Sequence, residues 1–206
     1  MTVIADVMRL APVIPVITIG RVEDAAPLAR ALVAGGLPAL EVTLRTPVAL
    51  EAIRAMRDVE GAVVGAGTVL NGRDVEAAFA AGARFFVSPG LSESVVDAAR
   101  VTGAPLLSGV ATASDIMRGL DHGLDHFKFF PAELVGGVAM LKAFTGPFAN
   151  VRFCPTGGVT PESAPAYLAL PNVLCVGGTW VAPASLVEAG AWDEIRALAQ
   201  VAAALR

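Results

Sequence analysis

The most regular feature of the 206-residue sequence is an alternation of short apolar runs with longer amphipathic or alanine-rich stretches. The apolar runs are rich in β-branched residues and are bounded by glycine, proline and polar residues, which predicts buried strands. There are eight of them at nearly even spacing, and they cover residues 13–19, 39–45, 63–69, 84–90, 105–111, 126–132, 152–158 and 173–179.

The stretches between the runs predict helices. Residues 24–36 begin with an acidic residue and end at paired glycines, as a capped helix does. In residues 46–58, Thr46 is a candidate N-cap and Pro47 takes the first helical position. Similar stretches cover residues 72–83, 92–104 and 112–123, and residues 183–206 predict one or two terminal helices.

Strands that alternate with helices predict a parallel sheet. Eight such units in about 200 residues match the lower size limit of a (β/α)8 barrel. An open doubly wound sheet is the alternative, but no GxGxxG fingerprint opens a helix after the first run. We therefore predict a single-domain (β/α)8 barrel over residues 1–206, with a helical tail.

Polar residues on the second run indicate a site inside this barrel. Alternation places Glu41, Thr43 and Arg45 on one face, opposite the apolar face that packs against helices. Burying a carboxylate costs several kcal/mol unless it has a partner. A structural ion pair between Glu41 and Arg45 at the end of the strand is an equally good interpretation of this run alone.

The sixth run favours the functional interpretation. Phe127 and Phe129 share one face of it, so that Lys128 points into the same interior as Glu41. Burial disfavours the charged form of a lysine, and a neutral amine attacks carbonyl carbon to form a Schiff base. A structural Lys128–Glu41 salt bridge is the alternative, but a lysine, a glutamate and an arginine that converge at strand ends favour a site.

Glycine pairs end the last two runs, in the segments PTGGVT and VGGTW. Their turns bring backbone N–H groups close to an anion, and many barrels bind phosphate in the loops after these two strands. Thr179 adds a hydroxyl beside the second pair. Thr68, at the end of the third run, is a candidate either for binding a substrate carboxylate or for capping the next turn, and the SPG segment at residues 88–90 is a candidate for the pocket wall.

Other chemistry is less well supported by the sequence. His126 begins its run and therefore lies at the amino-terminal end of the barrel, so we interpret it and His122 as structural. No His, Asp and Glu residues have metal-ligand spacing, and no metal site is expected. Cys154 and Cys175 do not form a disulfide framework, and we expect reduced, buried thiols in a cytoplasmic protein.

Composition excludes several functional classes. With 55% hydrophobic and 17% charged residues the chain can bury a large core, and its net charge of −4 without basic runs argues against nucleic-acid and membrane-surface partners. The apolar run from Leu10 to Ile19 could indicate a signal peptide. It contains Pro12 and Pro15, lacks a cleavage motif and is too short to span a bilayer, so we interpret it as a strand.

Six motifs taken together resemble one enzyme family. LEVTLRT, VGAGTVLN, SPGL, FKFFPAE, VRFCPTGG and VLCVGGTW are similar to the motifs of the 2-keto-3-deoxy-6-phosphogluconate (KDPG) and 4-hydroxy-2-oxoglutarate aldolases, from about Pro12 to Pro183. The resemblance implies a (β/α)8 barrel, a homotrimer and a Schiff-base aldolase that needs no metal or cofactor. It also implies KDPG cleavage to pyruvate and glyceraldehyde 3-phosphate, as in the Entner–Doudoroff pathway, with 4-hydroxy-2-oxoglutarate as a second substrate.

The resemblance also assigns residues. The family's Schiff-base lysine falls on Lys128, its acid/base glutamate on Glu41, and its contacts to the pyruvate carboxylate on Arg45 and Thr68. The remaining substrate-binding residues lie in the two glycine turns and are Thr156, Gly157, Gly158, Gly178 and Thr179. Of these, the resemblance assigns the glycines and Thr179 to the phosphate.

Two departures from the family pattern leave the substrate open. The segment SGVAT, with Ser108 and Ala111, stands where the family often has PGIST, and Thr179 stands where it often has serine. A preference for the galactonate epimer of KDPG is therefore an alternative. Two further alternatives are a sugar-phosphate isomerase or epimerase without a covalent lysine, and a sugar-phosphate binding protein in which Lys128 is only a counter-ion.

Overall fold

Strands and helices alternate along the chain as the sequence predicts. The computed structural model describes residues 3–205, which contain eight strands and ten α-helices. The strands are β1 (Val13–Ile17), β2 (Ala39–Thr43), β3 (Val63–Gly67), β4 (Phe86–Val87), β5 (Leu106–Val110), β6 (His126–Phe129), β7 (Arg152–Pro155) and β8 (Val176–Gly178). The helices are α1 (Ile4–Arg9), α2 (Ala25–Ala34), α3 (Ala49–Arg57), α4 (Gly72–Ala81), α5 (Glu93–Thr102), α6 (Ala113–Asp121), α7 (Gly137–Phe144), α8 (Ala164–Leu168), α9 (Ala184–Glu188) and α10 (Trp192–Ala203).

The strands form one parallel sheet that curves into a barrel. Their order is β7-β6-β5-β4-β3-β2-β1-β8. Strands β1 to β7 are therefore neighbours in chain order, and β8 pairs with β1. Isolated parallel bridges from Phe153 to Val173 and from Thr156 to Gly177 join β7 to the segment of β8 and complete the ring. The predicted (β/α)8 barrel is confirmed, and the open doubly wound alternative is wrong.

Apolar side chains fill the space between strands and helices. Phe127 and Phe129 of β6 are fully buried in this outer layer, as alternation predicted. The Phe129 ring lies 6.2 Å from the Phe144 ring of α7 in an edge-to-face contact and 6.3 Å from the ring of Phe153 on β7. Packing of this kind fixes the strand faces, so the alternate residues of β6 must point inward.

A second apolar cluster occupies the amino-terminal half of the barrel interior. This inner core comprises Val7 and Met8 from α1 together with strand residues that include Ile14, Phe85 and Leu107. Helix α1 therefore closes the amino-terminal end of the barrel. The inner core also contains the buried Cys154 and Cys175, so the prediction of buried cysteines is confirmed.

Several local predictions need correction. No residue range was predicted for helices α1, α7 and α8, although the barrel implies helices after β6 and β7. Thr46 is not an N-cap. Helix α3 begins only at Ala49, with Val48 in the cap position and no side-chain cap. After β2 the chain first makes a turn out of the barrel, in which the Ala49 N–H donates to the Thr46 carbonyl at 3.2 Å.

The other helix predictions are confirmed. Helix α4 lies within residues 72–83, and its N-terminus is capped by Asn71, whose side chain accepts from the Asp74 N–H at 3.1 Å. The tail forms two helices, α9 and α10, and α10 packs against α2 to complete the outer ring. No helix within residues 3–205 combines the length and the hydropathy needed to cross a membrane.

Candidate active site

Lys128 and Glu41 are in direct contact inside the barrel. Lys128 Nζ donates to Glu41 Oε1 at 3.0 Å, and the two residues are only 4% and 3% exposed. Lys128 pairs in register with Gly109 of β5 and Cys154 of β7, so it lies in the middle of its sheet segment. The prediction that both residues share the interior is confirmed, and no water is needed to join them.

An aromatic ring also contacts the lysine. Lys128 Nζ lies 5.3 Å from the centroid of the Phe130 ring, within range of a cation–π interaction. Phe130 was not among the predicted site residues. Alternation contained the signal, because Phe130 is two residues from Lys128 and so shares its face.

A glycine makes room for the glutamate. Strand β3 lies beside β2 with Gly65 opposite Glu41 and Gly67 opposite Thr43. A Cβ atom on Gly67 would collide with the Glu41 carboxyl group. Glycine at this position therefore lets the carboxylate lean over β3, a role that the sequence indicated only through glycines at alternate positions of VGAG.

The two residues predicted to bind a carboxylate lie above this pair. Arg45 follows β2 and is exposed, and within residues 3–205 its guanidinium forms no hydrogen bond or ion pair. Thr68 follows β3 with φ at 58°, in the left-handed region. A non-glycine residue is strained there by about 1–2 kcal/mol, and such strain is concentrated at functional sites. The structure thus places both residues at the carboxyl end of adjacent strands.

The first glycine turn follows β7 and is tied to the end of β6. Gly157 and Gly158 have φ values of 98° and 82°, which favour glycine strongly. The Ala132 N–H donates to the Thr156 carbonyl at 2.8 Å and the Glu133 N–H to the Gly157 carbonyl at 3.1 Å. Within residues 3–205 the Gly158 N–H has no protein acceptor, so it is available to an anion.

The second turn, after β8, is packed differently. A Cβ atom on Gly178 would collide with the ring of Trp180, so this glycine has a packing role in the free protein. Thr179 is exposed beside it. Thr156 is buried against Gly177, which brings the two turns together across the closing seam of the barrel.

A fixed carboxylate borders the first turn. Tyr167 donates its hydroxyl hydrogen to Glu133 Oε1 at 2.7 Å, and a Cβ atom on Gly158 would touch the Glu133 side chain. The pKa of the Tyr167 phenol is raised above its ordinary value. Burial is the main cause, and the hydrogen bond to Glu133 is the second. Neither residue was predicted to belong to the site.

Ser108 and the histidines lie away from the lysine. Ser108 is fully buried on β5, with its hydroxyl 3.4 Å from Ser88 Oγ and from the Gly90 carbonyl, so it holds the SPG loop and does not line the interior. His126 begins β6 and its Nδ1 lies 2.6 Å from Asp125 Oδ1. Its predicted position at the amino-terminal end of the barrel is confirmed.

Comparison with known proteins places this arrangement in a family. The model of the KDPG and KHG aldolases, where KHG is 4-hydroxy-2-oxoglutarate, matches residues 4–198. The chain belongs to this aldolase family. The resemblance seen in the motifs is thereby confirmed.

Individual relatives agree over nearly the whole length. The chain is 58% identical over 203 residues to a 2-dehydro-3-deoxy-phosphogluconate aldolase of Zymomonas mobilis, covering 98% of this chain and 96% of that one. A crystal structure of the Z. mobilis ZM4 KDPG aldolase with 3-phosphoglycerate matches with a TM-score of 0.93 and 57% identity, over 98% of this chain and 96% of the other. A KDPG aldolase of Legionella pneumophila, with pyruvate captured as a covalent carbinolamine, matches with a TM-score of 0.94 and 45% identity, over 98% and 99%.

Proposed function

We propose that this aldolase cleaves KDPG to pyruvate and glyceraldehyde 3-phosphate through a Schiff base on Lys128. The observation that carries the proposal is the buried contact between Lys128 Nζ and Glu41 Oε1. A lysine and a carboxylate at this distance can exchange a proton, which leaves the neutral amine that attacks a carbonyl. The relatives support the substrate, since their names state KDPG cleavage.

The lysine supplies the electron sink in the proposed mechanism. The amine of Lys128 adds to the keto carbon at position two to give a carbinolamine. The carbinolamine hydroxyl leaves as water with the proton that Glu41 took from Lys128, which gives an iminium and restores the Glu41 carboxylate. The covalent pyruvate adduct of the Legionella protein supports this step by analogy. Because the iminium accepts the electron pair of the bond between carbons three and four, the mechanism uses no metal ion or organic cofactor.

Glu41 carries the protons. Its carboxylate takes the proton of the hydroxyl on carbon four, the bond between carbons three and four breaks, and glyceraldehyde 3-phosphate leaves. The protonated Glu41 then returns the proton to carbon three of the lysine-bound enamine, and hydrolysis releases pyruvate and the free amine. One carboxylate serves both steps because its charge alternates through the cycle.

The two ends of the substrate are held at different strands around the barrel mouth, the carboxyl-terminal end of the barrel. We assign the pyruvate carboxylate to Arg45 and Thr68, which follow β2 and β3. We assign the phosphate to the turns after β7 and β8, with Thr156, Gly157, Gly158, Gly178 and Thr179 as the candidate contacts. Binding at both ends fixes the reacting carbons beside Lys128 and Glu41.

Borohydride trapping of the Schiff base tests the proposal, and the small number of lysines in the sequence makes the result easy to assign. It contains only two lysines, the buried Lys128 and the exposed Lys142. Incubation with pyruvate and borohydride should therefore attach a reduced pyruvate group to the peptide that contains Lys128, as measured by mass spectrometry. Lys142→Met is the matched control and should keep the adduct, whereas Lys128→Met should lose it. An adduct on Lys142 alone, or none in the unmodified protein, would contradict the proposal and favour a non-covalent isomerase or binding protein.

The second substrate is 4-hydroxy-2-oxoglutarate, which the same residues would cleave to pyruvate and glyoxylate. The name of the family supports this activity. Cleavage rates for KDPG, its galactonate epimer and 4-hydroxy-2-oxoglutarate should rank KDPG first. A faster reaction of the galactonate epimer would reassign the enzyme to that substrate without changing the roles of Lys128 and Glu41.

We also propose a homotrimer that acts in the Entner–Doudoroff pathway of carbohydrate metabolism, as the family resemblance implied. Its location would be the cytoplasm, as expected from two cysteines that form no disulfide framework. Large apolar side chains at the surface support self-association, among them Leu134, which is 86% exposed, and Val101, which is 89% exposed. Sedimentation equilibrium should give three times the chain mass of 21.0 kDa. A monomer mass at micromolar concentration would contradict the trimer.

A further inference from the structure

Thr18 is a polar residue of the barrel mouth to which the mechanism so far gives no role. It follows β1, where Ile14 belongs to the inner core, and alternation therefore points Val16 and Thr18 inward as well. Its side chain is exposed and also borders a pocket of about 310 Å³ between the β1–α2 connection and α9. Thr18 therefore offers a hydroxyl to molecules that enter the mouth.

The direction of its hydrogen bond is fixed by its neighbour. Thr43 on β2 is fully buried, and its hydroxyl donates to the Ile17 carbonyl at 2.9 Å. A hydroxyl has a single hydrogen, so Thr43 can only accept from Thr18, whose Oγ1 lies 3.1 Å away. Thr18 has then used its own hydrogen and presents lone pairs to the mouth. It is an acceptor for a hydroxyl and not a donor to a phosphate or carboxylate.

The position of Thr18 around the mouth matches one part of the substrate. Strand β1 lies between β8, which ends at the second glycine turn, and β2, which carries Glu41. The shorter way around the mouth from Glu41 to the phosphate turns therefore passes β1. In KDPG the atom between carbon four, on which Glu41 acts, and the phosphorylated carbon six is carbon five, which carries a hydroxyl.

The position of Thr18 along the barrel axis agrees with a contact to carbon five. Strands β1 and β2 pair with Val16 opposite Glu41 and Ile17 opposite Val42. Thr18 therefore lies two residues nearer the mouth than Glu41, a step of about 6.6 Å at the rise of a parallel strand. In the proposed binding mode, the part of the substrate beyond carbon four also extends from Glu41 toward the mouth.

We propose that Thr18 accepts a hydrogen bond from the hydroxyl on carbon five and so selects for substrates that carry it. The inference rests on the proposed function, and it makes Thr18 a specificity-determining residue rather than part of the covalent chemistry. In the direction of synthesis, Thr18 would favour aldehydes with a hydroxyl next to the carbonyl.

The test compares two aldehydes in condensation with pyruvate. Glyceraldehyde 3-phosphate carries the hydroxyl that becomes the one on carbon five, and 3-oxopropyl phosphate has the same length and phosphate but lacks it. The wild-type enzyme should prefer glyceraldehyde 3-phosphate about tenfold in kcat/KM, and Thr18→Val should reduce this preference to about twofold or less, as expected for one hydrogen bond between neutral groups. The rate with 3-oxopropyl phosphate should hardly change, and Thr18→Ser should keep most of the preference.

Controls separate this proposal from the proposed function. Thr179→Val should slow both aldehydes by similar factors, because both carry the phosphate. The borohydride adduct of pyruvate on Lys128 should form equally in Thr18→Val and the wild type; its absence from both would refute the covalent mechanism instead. An unchanged preference in Thr18→Val, or equal losses for both aldehydes, would overturn the role of Thr18.

Discussion

The two ends of the barrel are formed by the same eight strands but by opposite kinds of side chain. At the amino-terminal end the inner core is apolar, and α1 covers it with Val7 and Met8, which are 1% and 0% exposed. At the mouth the interior carries Lys128 and Glu41, followed outward by threonines, an exposed arginine and glycine turns. One end is closed and packed, and the other is open and polar.

The difference separates stability from chemistry. An apolar, covered end contributes burial and needs no polar partners, whereas a charged pair in the same position would cost several kcal/mol in desolvation. The mouth tolerates Lys128 and Glu41 because they contact each other directly. In barrels of this kind, changes at the mouth should affect catalysis and changes at the closed end should affect stability.

The largest effect should come from Glu41. Glu41→Gln keeps the size of the side chain but removes the carboxylate to which we assign the proton transfers, so kcat for KDPG cleavage should fall by about two or more orders of magnitude. Steady-state assays of pyruvate release measure the change. The matched control is Glu60→Gln, an exposed glutamate before β3 at the closed end, which should leave kcat unchanged. Near-normal turnover of Glu41→Gln would make the Lys128–Glu41 contact structural only.

The converse test is made at the closed end. Met8→Ala removes a fully buried side chain of the inner core and should lower the free energy of unfolding by about 2–5 kcal/mol. Denaturant unfolding measures it. Met117→Ala, at a side chain that is 59% exposed, should change it by less than about 0.5 kcal/mol. Both variants should retain wild-type kcat/KM at 25 °C. Loss of activity in folded Met8→Ala would show that the two ends are not independent.

The mouth was easier to predict from the sequence than the closed end, for a physical reason. The inward direction of Lys128 and Glu41 follows from the alternation of single strands, in which Phe127 and Phe129 mark the outer face. The number and spacing of the apolar runs likewise predicted the barrel. Such features depend on neighbouring residues and a simple period.

Other features depend on contacts between distant segments, which one sequence does not display. The room that Gly67 leaves for Glu41 and the bond between Thr18 and Thr43 both require the pairing register of adjacent strands. Helix α1 has only six residues and is held by the inner core rather than by its own propensity. Threonine is a common N-cap residue, but Thr46 belongs to the turn that follows β2 and not to the start of α3.

The smallest expected effect shows that polarity at the mouth does not always indicate catalysis. Helix α6 follows β5 and starts with a capping box, in which Thr112 accepts from the Asp115 N–H and Asp115 accepts from the Thr112 N–H at 3.0 Å. Burial alone would raise the pKa of the Asp115 carboxyl, but bonds from the Thr112 hydroxyl, the Ala111 N–H and Arg118 outweigh it and hold the pKa below its usual value. Asp115 is therefore assigned to stability although it lies near the mouth.

Asp115→Asn should lower the free energy of unfolding at pH 7 by about 1 kcal/mol, as loss of a helix cap does. Since the folded pKa lies below the unfolded value of about 4, the carboxylate contributes its full stability above that pH, and the contribution disappears as the pH falls through the folded pKa. Urea unfolding at several pH values should show the wild type and variant converging in acid. Asp121→Asn, in the last turn of the same helix, should not destabilise the protein, because an anion there is unfavourable. A loss of kcat in Asp115→Asn without a loss of stability would move this residue from the structural to the catalytic side of the comparison.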